Sequence, residues 1–224
     1  MADTNSNIST ATHDSIDQAR IAYLKDVIDV EDNEVIYLNR LLKLQDKRRE
    51  LILNGNIPSV IIDNFLYQGD INHATDIDIL NKLGIQHIIN TCNSSLPQLI
   101  TKKFNVLWLN ILDNLHANIR QYFEQTNHFL YSCQQNNEKV LIHCHMGISR
   151  SSSITLAYLI KYHHNNLFEA YDYLLNQRLF ASPNYGFFIQ LIRYEKELQK
   201  VRINANKAPR GMGQSHPTRG PECY

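Results

Sequence analysis

The stretch KVLIHCHMGISRSSS, residues 139–153, combines three kinds of local signal in fifteen positions. Its first five residues, Lys139–His143, are rich in Val, Leu and Ile and predict a short buried strand. A loop follows, and then a helix is predicted over Ser151–His163. A tight loop that enters a helix N-terminus turns successive backbone N–H groups inward, and the helix dipole adds positive potential. The stretch therefore predicts a cradle for a tetrahedral, phosphate-sized anion.

The residue types inside this loop add chemistry to the cradle. Cys144 opens the loop in its positive field, which favours the thiolate, the nucleophilic form of cysteine. Arg150 can clamp two phosphate oxygens bidentately, which Lys would do poorly. Ser151 can donate a hydrogen bond to the thiolate as it leaves, and His143 is interpreted as a hydrogen-bonding support of the loop. The predicted phosphate-binding residues are His145, Met146, Gly147, Ile148, Ser149 and Arg150.

Attack of a thiolate on phosphorus expels an alkoxide or phenoxide, so a general acid is needed from a separate loop. Asp113 is the candidate, because it follows the predicted strand Asn105–Leu109 and precedes a predicted helix over Ala117–Gln135. His116 is a weaker alternative acid. An Asp before a helix can also be a simple capping residue.

Strands and helices alternate through the centre of the chain, with a further apolar strand at Ile85–Thr91 and helices at Leu167–Asn176 and from Pro183 to about Leu198. This alternation predicts the α/β class, with a central, mostly parallel sheet flanked by helices and an N-terminal helical extension.

The chain is predicted to divide into three segments. Residues 1–56 form an N-terminal extension, with a disordered start followed by one or two amphipathic helices that pack on the body of the protein or on a partner. Residues 57–199 form the catalytic domain. Residues 200–224 carry five basic and one acidic group and are predicted to be a flexible basic tail.

Overall composition excludes several classes of protein. The 22 basic and 22 acidic residues cancel, which disfavours nucleic-acid binding, and no apolar run is long enough to cross a membrane. The four cysteines are scattered without a Cys-x-x-Cys pair, so free thiols are expected in a reducing compartment. We therefore expect a cytoplasmic location, with the nucleus as an alternative, and predict neither a cofactor nor a metal.

The segment His143-Cys144-x-x-Gly147-x-Ser149-Arg150-Ser151 resembles the active-site signature of the dual-specificity phosphatases, within the protein tyrosine phosphatase superfamily. Three further segments resemble that family in the same order: Leu66-Tyr67-Gln68-Gly69, Leu83–Asn90 and Pro183–Leu191. The resemblance covers about residues 57–199.

The resemblance implies a cysteine-phosphatase fold that hydrolyses phosphotyrosine and phosphoserine or phosphothreonine through a cysteinyl-phosphate. It implies that Cys144 is the nucleophile, Arg150 the phosphate ligand, Asp113 the general acid, Ser151 the thiolate partner and Asn184 a loop-supporting residue. Phosphoprotein substrates follow, with a member of a mitogen-activated kinase pathway as one option. A weakly active or inactive phosphoprotein-binding scaffold of the same fold is the alternative.

Other features leave alternatives open. Asn114-Leu115 follows Asp113 where some relatives have a proline, and the Cys144 loop has no lysine, which disfavours a phosphoinositide substrate. Lys47-Arg48-Arg49 followed by Leu51-Ile52-Leu53 is either a kinase-docking motif or a charged helix end. Cys92 ends a strand as Cys144 does, so it is either a redox partner of Cys144, as in some lipid-phosphatase relatives, or a small buried apolar residue.

Overall fold

The computed structural model of the protein describes residues 21–46 and 57–207. The strands are β1 (Ser59–Ile62), β2 (Leu66–Gly69), β3 (Ile85–Asn90), β4 (Asn105–Trp108) and β5 (Lys139–His143). The helices are α1 (residues 21–28), α2 (Asp32–Asp46), α3 (Ile71–Thr75), α4 (Ile77–Leu83), α5 (Gln98–Lys103), α6 (Phe123–Gln135), α7 (Arg150–Tyr162), α8 (Leu167–Gln177) and α9 (Tyr185–Lys207). A 3-10 turn, Arg120–Tyr122, precedes α6.

The five strands form one sheet in the order β1-β2-β5-β3-β4. Only the β1–β2 pair is antiparallel, and the pairs β2–β5, β5–β3 and β3–β4 are parallel. Strand β5 therefore lies at the centre, so the loop that follows it leaves from the middle of the carboxyl edge. The predicted α/β class with a mostly parallel sheet is confirmed.

Helices cover both faces of the sheet, because strand side chains alternate between the two faces. On β5, Val140 and Ile142 belong to the larger core with α6–α9, whereas Leu141 belongs to a second core with α3–α5. Helix α7 lies inside the larger core, and every residue from Arg150 to Ile160 is buried. The first turn of this helix, which carries the site, is thus held by packing on all sides.

The described part of the N-terminal extension packs against the main body. Leu24 and Leu38 are almost fully buried in the same core as α7, α8 and α9. Glu34 pairs with Arg193 of α9 at 2.9 Å, and Tyr37 Oη accepts a hydrogen bond from the backbone amide of Phe168. The amphipathic helices were expected to pack either on the body of the protein or on a partner, and these residues pack on the body.

Two helices differ from their predicted bounds. The helix predicted over Ala117–Gln135 begins later, because the side chain of Asn114 accepts from the amides of residues 116 and 117 and holds them in a turn. Helix α9 runs to Lys207, beyond the predicted end near Leu198 and into the segment predicted as a flexible tail. It is held there by Arg202, which donates to the carbonyl of Ile160 at the end of α7.

Some predictions fall outside the described residues. These are the disordered start, the basic segment Lys47-Arg48-Arg49 and the tail beyond residue 207. The division at residues 56 and 199 stays a prediction. No helix in the described ranges is long and apolar enough to cross a membrane.

Candidate active site

The Cys144 loop, residues 144–149, joins the central strand β5 to the buried helix α7. The Cys144 side chain is 1% exposed and lies at the bottom of this loop. Its Sγ accepts a hydrogen bond from the Gly147 amide at 3.1 Å and lies 3.4 Å from the Ser151 hydroxyl. Both groups can donate to a negatively charged sulfur, and the amino end of α7 adds positive potential.

Gly147 gives the loop its curvature. Its φ is +67°, in the left-handed region that side chains disfavour. A Cβ at this position would lie 2.5 Å from the Gly69 carbonyl oxygen and would also overlap the guanidinium of Arg178. The position therefore requires glycine both for its backbone angle and for its space.

Two side chains, the buried Gln68 and the half-buried Arg178, support the loop from below, and the sequence analysis assigned no role to either. Gln68 Nε2 donates to Ser152 Oγ at 2.8 Å and to the Gly147 carbonyl at 3.3 Å. Arg178 Nε donates to the same carbonyl at 2.6 Å, and burial lowers the pKa of its guanidinium. Gln68 lies in the segment Leu66–Gly69, whose resemblance to the family is a signal that could have identified it. No local sequence signal distinguishes Arg178 from a basic residue at a helix end.

Arg150 connects the Cys144 loop with the Asp113 loop, residues 109–119. Its guanidinium is largely buried, and Nη1 donates to the Ile111 carbonyl at 3.2 Å. Nε lies 3.4 Å from Asp113 Oδ2, which makes an ion pair across the two loops. The structure therefore brings the predicted phosphate ligand and the predicted acid together.

The Asp113 carboxylate is oriented by two further donors. Ser149 Oγ donates to Oδ1 at 2.7 Å, and Asn184 Nδ2 donates to the same oxygen at 2.8 Å. The side chain stays 30% exposed, so it borders both the loop and solvent. His116, the weaker candidate acid, is exposed, and its backbone amide bonds to Asn114.

Asn184 stands at the amino end of α9 and connects three segments. Its backbone amide donates to Ser149 Oγ at 3.0 Å, while its Oδ1 accepts from the Phe187 amide. At Gly186, two residues further on, a Cβ would overlap the Leu115 carbonyl, so α9 and the Asp113 loop touch backbone to backbone. Asn184 therefore links the start of α9 with both the Asp113 loop and the Cys144 loop.

His143 lies below the loop and is fully buried. Its Nδ1 is 3.3 Å from the Cys144 carbonyl oxygen, and burial lowers the pKa of its imidazole to about 4. The ring is therefore neutral near pH 7. The His143 carbonyl in turn accepts from both the amide and the hydroxyl of Thr91. These bonds connect β5 to the residue that follows β3.

The remaining loop residues face outward or anchor the backbone. His145 and Met146 are exposed, and the His145 carbonyl accepts from the Ile71 amide. The Ile148 carbonyl accepts from the Ser182 amide at 2.9 Å. These two contacts, together with those of Gln68 and Arg178 on Gly147, hold the loop backbone in one shape.

The family profile described as "Dual specificity phosphatase, catalytic domain" matches residues 66–197, more than half of the chain. The chain belongs to the dual specificity phosphatase family.

Curated relatives agree with this assignment. This dual specificity phosphatase is 36% identical over 134 residues to human dual specificity protein phosphatase 5, covering 60% of this chain and 35% of the relative. It is 32% identical over 167 residues to dual specificity protein phosphatase 1 of Arabidopsis thaliana, covering 75% and 81% of the two chains. Against several relatives, including the human protein, the chain spans less than half of their length.

Solved structures show the same fold. The crystal structure of DUSP15 superposes with a TM-score of 0.61 at 28% identity, covering 69% of this dual specificity phosphatase and 97% of the other chain. The human tyrosine phosphatase-like serine/threonine/tyrosine-interacting protein superposes with a TM-score of 0.57 at 29% identity, covering 65% and 97%.

Proposed function

We propose that the protein is a cysteine-dependent dual-specificity protein phosphatase that hydrolyses phosphotyrosine, phosphoserine and phosphothreonine through a cysteinyl-phosphate. One observation carries the proposal. Cys144 Sγ accepts a hydrogen bond from the Gly147 amide at 3.1 Å. Arg150 follows the other end of the same loop and lies 3.4 Å from Asp113. Nucleophile, anion ligand and proton donor therefore converge on one cradle, which is the arrangement that phosphoryl transfer needs.

In the first step, the Cys144 thiolate attacks phosphorus and the bond to the ester oxygen breaks. Asp113 gives its proton to that oxygen, so a neutral alcohol or phenol leaves. Arg150 and the loop amides balance the charge on the three remaining phosphoryl oxygens. For this, N–H groups of the Arg150 guanidinium that face Asp113 rotate towards the phosphate.

In the second step, water attacks the cysteinyl-phosphate and gives a proton to the Asp113 carboxylate. The sulfur–phosphorus bond breaks, and inorganic phosphate and the thiolate are released. Ser151, 3.4 Å from Sγ, donates to the departing thiolate. The residues supply all proton transfers, so the proposed cycle uses neither a metal nor a cofactor.

The mouth of the site supports a broad choice of phosphorylated side chain. Leu112 and Met146, on its two loops, are 55% and 65% exposed, and Asp113 reaches solvent beside them. We propose that this open mouth admits both long and short phosphorylated side chains. We propose phosphoproteins as substrates, with a mitogen-activated kinase pathway as the first to examine.

Residues 57–199 are proposed as the catalytic unit, because the site residues described above, from Gln68 to Asn184, lie within them. A cytoplasmic or nuclear location is proposed because the chemistry requires Cys144 to stay reduced. The scaffold alternative is not favoured, since Cys144, Arg150 and Asp113 are all present and oriented.

The test compares the parent protein with Cys144→Ser on an aryl phosphate and on phosphotyrosine and phosphothreonine peptides. Hydrolysis of all three by the parent is expected, and the variant should lose on the order of 10³-fold or more in kcat/KM. The variant should still bind the phosphopeptides, because the amides and Arg150 remain. Cys133→Ala, which alters a buried thiol far from the loop, is the matched control and should keep its activity. Substantial turnover by Cys144→Ser would contradict the assignment.

A further inference from the structure

Three side chains of metal-binding type meet at the amino edge of the sheet, away from the Cys144 loop. His87 lies near the start of β3, Cys133 lies in the last turn of α6, and Glu138 immediately precedes β5. One ligand atom from each lies within 4.8 Å of the other two. The Cys144 loop instead follows the carboxyl end of β5, so this cluster is separate from the proposed catalytic site.

The distances suit a small cation with mixed ligands. His87 Nε2 and Glu138 Oε2 are 3.1 Å apart. Zinc binds nitrogen and oxygen at about 2.0–2.2 Å and sulfur at about 2.3 Å, so tetrahedral ligands lie roughly 3.3–3.7 Å from one another. The three ligand atoms lie within 4.8 Å of one another, so side-chain movements of up to about 1 Å would bring them to these separations.

The surroundings also resemble those of a metal-ligating histidine. The ring nitrogen of His87 that faces away from Glu138, Nδ1, lies 3.0 Å from Asn105 Nδ2. A half-turn of the Asn105 amide group would place its oxygen there instead, so that it accepts the Nδ1 proton and leaves Nε2 free to bind a cation. Phe129 contacts the imidazole edge to face at 5.5 Å and fixes the ring plane.

The cluster combines the three kinds of side chain that bind zinc in proteins, an imidazole, a thiol and a carboxylate. The Glu138 amide donates to the Cys133 carbonyl at 2.9 Å, which holds the two residues next to each other. A thiol and a carboxylate are therefore fixed beside an imidazole. Glu138 is 32% exposed and gives a path from solvent.

We propose that His87, Cys133 and Glu138 form a zinc site, with a water molecule as the fourth ligand. On binding, bonds form from Zn²⁺ to Nε2, Sγ and a carboxylate oxygen, and the Cys133 thiol proton is released to solvent. Because the ligands come from α6, β3 and the residue before β5, the ion would join the end of α6 to the sheet. The site stabilises the fold and takes no part in phosphoryl transfer.

The test uses the full chain with Cys144→Ser and Cys223→Ser, so that Cys92 and Cys133 are the remaining thiols. Zinc affinity is measured by competition with a chromophoric chelator, and Co²⁺ is added separately to detect thiolate-to-cobalt absorption. The parent background should bind one Zn²⁺ and show the cobalt band. His87→Gln, Cys133→Ser and Glu138→Gln should each weaken zinc binding about tenfold or more, and Cys133→Ser should abolish the band.

Cys92→Ser is the matched control, because it removes the other buried thiol and should change neither measurement. Glu138→Gln keeps the experiment decisive if a buried substitution prevents folding, since this side chain is partly exposed and its replacement is isosteric. Zinc should raise the thermal midpoint of the parent background but not that of Glu138→Gln. The proposal is wrong if the parent binds no zinc, if the band survives Cys133→Ser, or if it disappears in Cys92→Ser. The cluster is then an ion pair beside a core thiol.

Discussion

Cys144 and Cys133 are both buried, to 1% and 3% exposure, yet they lie at opposite edges of one sheet in opposite surroundings. Cys144 Sγ meets the Gly147 amide and the Ser151 hydroxyl at the amino end of α7. Burial, with the Glu138 carboxylate adding to it, raises the pKa of Cys133 to about 11. The two sites show that burial alone does not decide the chemistry of a thiol, because the groups around the sulfur also contribute.

After Cys144→Ser, the largest effect is expected from Asp113→Asn, which removes the proposed proton donor from the carboxyl edge. Hydrolysis of a phosphoserine peptide should fall by about 10²–10⁴-fold, because an alkoxide leaves slowly without a proton. An aryl phosphate with a good leaving group should lose much less. Steady-state kcat/KM for both substrates measures this difference.

Asp63→Asn is the matched control for that variant, since Asp63 is an exposed acid in the turn between β1 and β2. It should leave both rates unchanged. An equal loss on both substrates in Asp113→Asn would place the proton donor elsewhere, and His116→Gln would be the next variant to measure.

Gly147→Ala should have the next largest effect, because the new Cβ would push the loop away from Gly69. A displacement of about 1 Å in the amide that contacts Sγ should lower kcat/KM roughly 10²-fold. Gly84→Ala is the matched control: Gly84 also has a positive φ, of 71°, but a Cβ there meets only the Lys139 side chain at 3.8 Å. That variant should lose stability in thermal unfolding while keeping its activity. Similar activity losses in both would mean that general strain, not loop geometry, is responsible.

A smaller effect is predicted for Cys92, which shares the carboxyl edge with Cys144. Asn90 pairs with His143 in register, so the two cysteines follow neighbouring strand ends. After mild peroxide, a Cys144 sulfenic acid should condense with the Cys92 thiol to a disulfide and release water. Mass spectrometry should show the linked peptides, and thiol reductant should restore activity.

In Cys92→Ala, recovery from peroxide should fall several-fold, because Cys144 can then oxidise further. Recovery equal to that of the parent protein would exclude the disulfide and leave Cys92 as a small buried apolar residue.

The smallest effect on activity is expected for a substitution at the amino edge of the sheet. Cys133→Ala should keep kcat/KM within about twofold of the parent, because Cys133 lies at the amino edge of the sheet, whereas the Cys144 loop follows its carboxyl edge. Iodoacetate at pH 7 should modify Cys144 and spare Cys133, whose thiol stays protonated well below its pKa of about 11. Inactivation by Cys133→Ala in a folded protein would show that the two edges are coupled.

The sequence predicts the parts of the site that lie close together in the chain. The segment 139–153 carries its strand, loop and helix signals locally, so the cradle and the positions of Cys144 and Arg150 follow from spacing alone. Gln68 and Arg178 were missed because their contacts with Gly147 span 79 and 31 residues and depend on the completed sheet. No sequence motif marks the cluster of His87, Cys133 and Glu138, because the three residues come from separate parts of the chain.

The periodicity of apolar residues predicts that α1 and α2 are helices, but it does not say which surface they pack against. Leu24 and Leu38 repeat at helical spacing whether they face α9 or another protein, and only the packed structure distinguishes the two cases. The reach of α9 to Lys207 likewise depends on Arg202 and the end of α7, which no local pattern encodes.

The Asp113 loop has no regular structure between residues 109 and 119, so it takes its stiffness from the start of α9 through Asn184 and Gly186. The Cys144 loop is held by β5 and α7, with Gln68 and Arg178 below it, and Asn184 bonds to it at Ser149. The start of α9 therefore matters more for the Asp113 carboxylate than for the Cys144 loop. Fraying the first turn of α9 would leave an enzyme that still captures phosphate esters but expels only good leaving groups, a molecule that holds its substrates much longer than it converts them.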